Sequence, residues 1–100
     1  MEVYVAVAST MDNMIPEFFG GEGELMFMRF EMDAEDGTIY ARQTVRCTEG
    51  NCADHAEENF VTKFVYNTMP AKLEEELKAK KIELIPGKTG SIVTAASKAL

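Results

Sequence analysis

The sequence predicts an α/β fold in which a mixed sheet carries helices on both faces. Three observations lead there. The stretch Phe60 to Ile85 reads as strand, helix and strand with short links, a βαβ unit whose two strands run parallel. Val3 to Ala8 is apolar almost throughout, as a central strand covered on both sides requires. Leu25 to Met32 and Thr38 to Val45 flank the polar turn Asp33 to Gly37, which makes them an antiparallel hairpin.

Each element has its own signal. In Leu25 to Met32, Met26, Met28, Phe30 and Met32 share one face by period two, with Arg29 and Glu31 on the other. Thr38 to Val45 places Ile39, Ala41 and Val45 on one side and Tyr40, Arg42 and Thr44 on the other; its polarity marks an edge strand. Cys52 to Asn59 has room for about two helical turns, with Asn51 as N-cap. Phe60 to Tyr66 is β-branched and aromatic, hence a strand. Thr68 is a candidate N-cap for a helix entered through Pro70 and running to Lys81. Met69, Leu73 and Leu77 form its apolar stripe. Its charges suit the helix dipole and suggest the pairs Glu74–Lys78 and Glu76–Lys80. Ile82 to Ile85 is a strand stopped by Pro86-Gly87. Ile92, Ala95, Ala96 and Ala99 repeat at helical spacing, capped by Ser91 or Thr89. Ser9 to Gly23 is left as a long loop holding Phe18 and Phe19.

One hundred residues suit a single domain over 1–100, and 46% hydrophobic content suits a folded one. A net charge of −7 argues against nucleic acid and against an anionic membrane surface. Met1-Glu2-Val3 leads directly into a strand, with no apolar run of membrane-spanning length, so a cytoplasmic protein is expected. Two cysteines are too few for a disulfide scaffold.

Cys47, Cys52 and His55 form a C-x4-C-x2-H pattern. Thiolate and imidazole together suit iron, zinc or copper(I), and three ligands leave a position open for a cluster. The plain alternative is a buried cysteine, a loop cysteine and a surface histidine; the spacing also permits a reversible disulfide. Asp12, Glu17 and Glu22 read as a solvated acidic loop, and Met26, Met28 and Met32 as core. Gly87-Lys88-Thr89 is no phosphate loop, because the glycine such a loop needs would fall at Ile82. No serine, histidine and acid triad is visible. A magnesium-dependent nuclease would need clustered carboxylates on central strands, and Val3 to Ala8 and Phe60 to Tyr66 contain none.

Several stretches in this order resemble the dinitrogenase iron–molybdenum cofactor biosynthesis family, the nitrogenase accessory factors. They are the strand Val3 to Ala8, the loop ending Pro16-Glu17-Phe18-Phe19-Gly20, the helix Met69 to Leu77, the strand entry Lys81-Ile82-Glu83-Leu84, then Gly90 and Ala95 to Leu100. The resemblance implies a three-layer α/β/α fold with an RNase H-like, five-stranded mixed sheet. It also implies a non-catalytic protein that binds or carries an iron–molybdenum or iron–sulfur cluster, with cofactor-assembly proteins as partners. Two departures fall in the loops: Glu17 and Phe18 stand where the family has a histidine before Phe-Gly, and Asn67 and Thr68 stand where it has glycines.

The carboxyl ends of parallel strands gather ligand-binding loops on one edge of an open sheet. The expected site is therefore a shallow cleft between the loops Ser9 to Gly23 and Asn67 to Pro70, holding an anion or metal cofactor. Asn13, Asn67 and Thr68 would supply polar contacts, Met14, Phe18 and Phe19 the walls, and the helix start near Met69 its N–H groups. Without ligand the first loop should be mobile. The competing readings are a magnesium-dependent nuclease-like enzyme on an RNase H-like fold and a thiol redox or interaction protein.

Overall fold

The computed structural model describes residues 1–100. Strands β1 (Glu2–Ala8), β2 (Leu25–Asp33) and β3 (Ile39–Cys47) come first, followed in alternation by α1 (Cys52–Glu58), β4 (Lys63–Val65), α2 (Ala71–Ala79), β5 (Glu83–Ile85) and α3 (Ile92–Ser97). The sheet order is β3-β2-β1-β4-β5. β1 lies antiparallel to β2 and parallel to β4, and β4 lies parallel to β5. The apolar run of Val3 to Ala8 thus does occupy the sheet centre beside the Phe60–Tyr66 segment.

Alternation along the strands divides the core between two faces. Ala6, Ala8, Phe27, Phe64 and Tyr66 point to the face covered by α1 and α2, where they pack with Leu73 and Leu77. Val5, Val7, Met28, Phe30 and Met32 point to the other face, beneath Ile92 and Ala96 of α3. Met28 and Met32 of β2 are core, as their spacing predicts, whereas Met26 is only half-buried and lies outside both clusters.

Several local expectations give way. β4 is three residues long, because Phe60 ends α1 instead of opening a strand. Phe60 takes a left-handed conformation (φ 60°), its N–H donates to the Glu57 carbonyl, and the Val61 N–H donates to the Ala56 carbonyl. This is a Schellman cap with phenylalanine in the position glycine usually fills. α2 ends alike: Lys81 has φ 62°, with N–H bonds from Lys81 to Lys78 and from Ile82 to Leu77. At the other end of α2 the N-cap is Pro70, not Thr68; Asn51 does stand at the N-cap of α1, but its side chain accepts from the Thr48 N–H and makes no cap bond. Neither expected ion pair along α2 forms: the Glu74 carboxylate accepts from the Tyr66 hydroxyl, and Lys80 reaches across to Asp54 and Glu57 of α1. In β3 the register shifts between Glu31 and Met32, so that Ile39 opposes Met32 and Ala41 opposes Glu31. The bulge at Tyr40 moves Ile39 to the α3 face, while Val45 stays on the α1/α2 face.

Candidate functional site

The segment between β1 and β2 crosses the carboxyl end of the sheet, and it is tied down along its length. The Thr10 hydroxyl accepts from the N–H groups of Asp12 and Met14. The Ile15 N–H donates to the Gly90 carbonyl, and the Ile92 N–H to that of Asn13, joining the segment to the start of α3. Ile15 and Phe19 are buried, one on each core face. The expected mobile loop is a strap with anchors at both ends of its first half.

The same bonds close the gap in which a ligand was expected. The Phe19 N–H donates to the Thr68 carbonyl at 2.8 Å, and the Thr68 hydroxyl donates to the Glu17 carbonyl at 2.6 Å. Gly20 follows against Pro70, where an added Cβ would lie 2.6 Å from Pro70 Cδ, so only glycine fits. Asn67 turns its carbonyl to the Gly87 N–H. Phe19 packs on Phe64 with ring centroids 5.5 Å apart, and Met69 is core. Of the residues expected to line the cleft, Phe19 and Met69 are therefore core and Thr68 is a latch. Asn13, with a positive φ, serves the α3 start through its backbone, Met14 pairs with Ser91, and Phe18, 54% exposed, faces open space beside the strap.

That space lies on the opposite flank, over the ends of β2 and β3. A cleft of about 300 Å³ is bounded by Met11 and Phe18 of the strap, Leu25 and Met26 of β2, and Arg46 of β3. Met11 is 84% exposed. Arg46 is held at the rim by the Glu24 carboxylate at 2.7 Å. The cleft thus offers thioethers, an aromatic edge and a guanidinium paired with a carboxylate. Sequence reasoning missed Met11, Glu24, Leu25 and Arg46. Their sequence separation hides a site that forms only when the end of β3 returns beside the start of β2.

Next to Arg46, Cys47 enters the core and meets Cys52, the first residue of α1; both are free and buried. The interaction between the two thiols lowers the Cys47 thiol from its ordinary range and raises that of Cys52, with burial adding to the rise. His55 does not join them, and no three His, Cys, Asp or Glu side chains converge at metal-binding distance. The expected three-residue ligand set is reduced to a pair of thiols, because Cys52 turns into the core while His55 sits half-buried one turn later. On the same face, burial raises the Tyr66 hydroxyl above its ordinary value, and its bond to Glu74 adds to the effect.

No helix is long and apolar enough to cross a membrane. No protein-family model matches the chain. No curated protein matches it. Among solved structures, the crystal structure of PH0822 superposes with a TM-score of 0.78 over 94% of this chain and 86% of that one, at 14% identity. At that identity the likeness shows a shared fold, a five-stranded mixed α/β sheet with three helices, and carries no activity with it.

Proposed function

We propose that this chain is a small non-catalytic binding or carrier protein of the nitrogenase accessory factor type, on an RNase H-like fold, whose cargo is a metal cofactor or its anionic precursor. The sheet order, with β1 central, antiparallel to β2 and parallel to β4, supports the fold reading. The cleft beside the strap carries the functional reading. Its exposed Met11 thioether, the Phe18 ring and the Arg46 guanidinium suit a soft, negatively charged cluster better than a sugar or nucleotide. Cofactor-assembly proteins would be its partners, delivering or receiving the cargo. The cytoplasm is the expected setting, where such cargo stays reduced.

The test is titration of isotopically labelled protein under anaerobic conditions with molybdate, thiomolybdate and preformed iron–sulfur clusters. Amide shifts concentrated at Thr10, Met11, Leu25, Met26 and Arg46 support the reading. Shifts confined to the outer surfaces of α1 and α2, or none at millimolar ligand, overturn it.

A further inference from the structure

The chain has only two cysteines, and the fold brings them together. Cys47 is the last residue of β3 and Cys52 the first of α1. The connection between them is a tight turn in which the Thr48 N–H donates to Asn51 Oδ1 and the Asn51 N–H returns to the Thr48 carbonyl. Both residues belong to the same buried cluster beneath α1 and α2. Neither belongs to the wall of the proposed cleft. We propose that Cys47 and Cys52 form a dithiol site that low-molecular-weight disulfides, such as glutathione disulfide, convert to an intramolecular Cys47–Cys52 bond. This assignment is independent of the carrier reading.

The two sulfurs are not equivalent. Cys52 is wholly enclosed, whereas Cys47 retains a 5% opening. Its neighbour on β3, Arg46, is tied to Glu24 by an exposed ion pair. Exposed contacts of this kind open at little cost. Cys47 therefore reacts first. Its thiolate attacks one sulfur of glutathione disulfide, the reagent's S–S bond breaks, and the departing glutathione thiolate takes up the proton that Cys47 released to solvent. Cys52 then loses its proton and attacks the Cys47 sulfur. The mixed disulfide breaks, the Cys47–Cys52 bond forms, and a second glutathione leaves as a thiol. Two protein thiols are oxidised and one disulfide is reduced to two thiols.

The experiment equilibrates the folded protein with glutathione buffers of graded poise, quenches with acid, alkylates and weighs the product. The expected result is paired loss of both thiols in a monomer lighter by two hydrogens. Cys52→Ala should accumulate a glutathione adduct on Cys47, and Cys47→Ala should stay unmodified while folded. Two alkylatable thiols persisting in the native wild type, at a poise that oxidises the unfolded chain, would overturn the assignment, as would disulfide-linked dimers alone. The wild-type thiol count decides even where a variant does not fold.

Discussion

The two faces of the sheet are built differently. The α1/α2 face gathers sixteen buried residues, the other nine. The larger face contains a chain of rings, Phe27 and Tyr66 each edge-on to Phe64, with Phe19 tilted against it from the strap. The smaller face holds a single ring, Phe30, among methionines and aliphatic side chains under one helix of six residues. Rings meeting at fixed angles tolerate little displacement, whereas methionine adapts to irregular space. The first face should therefore set global stability and the second should open first. The strap joins the two, with Phe19 in one core and Ile15 in the other.

The strongest challenge to this contrast is Phe64→Ala. Phe64 is fully buried and touches three rings, so its loss should cost about 4 kcal/mol, with a cavity that the neighbouring rings cannot fill. Denaturant unfolding measures it, and a cost below that of the next variant would refute the ranking. Ile92→Ala, equally buried on the other face, should cost roughly 2 kcal/mol, at the low end for such truncations, because a short helix can settle into the space. Hydrogen exchange should show α3 amides opening before those of α2 in the wild type and faster still in this variant.

Tyr66→Phe is smaller. It removes the hydroxyl that donates to Glu74 and should cost about 1 kcal/mol near neutral pH. Tyr66 is held neutral in the fold, with its pKa raised above the ordinary 10.0. Its contribution is fully present below that ordinary value and is lost as pH rises through the higher folded one. Wild-type stability should consequently fall above about pH 10 more steeply than that of Tyr66→Phe, in thermal melts across the alkaline range.

These cores were largely legible in the sequence. The run Val3 to Ala8 could only be central, and the period of Leu25 to Met32 separated Phe27 from Met28 by face. What misled was backbone conformation carried by residues that do not advertise it. Phe60 reads as a strand former yet sits left-handed at a helix end, and the bulge at Tyr40 reverses Ile39 with no glycine to mark it. The site was less legible for a related reason. Phe18 and Phe19 are identical in sequence terms, but the Phe19 bond to Thr68 turns one ring into the core and leaves the other outside. The Arg46–Glu24 pair depends on strand register, which composition does not report.

The smallest effect sharpens the contrast from the opposite sign. α1 and α2 both end in Schellman caps, and the residue after each left-handed position, Val61 or Ile82, returns to the core of the larger face. α3 has no left-handed residue at its end, and the last turn closes through the Ala99 N–H to Ala96. The order of the larger face thus includes two side chains held where L-residues are disfavoured, a strain of order 1 kcal/mol each. Phe60 recovers part of this by its contact with Tyr4, at 6.3 Å between centroids, so Phe60→Gly should change stability little. Lys81 is exposed and makes no ion pair, so Lys81→Gly relieves the strain without losing a contact. Glycine's greater freedom in the unfolded chain offsets some of the gain. The expected net is a stabilisation of about 0.5 kcal/mol, read as a rise in melting temperature with an unchanged denaturant slope. A fall in melting temperature would show that the Lys81 side chain, and not the turn, holds the end of α2 against the sheet.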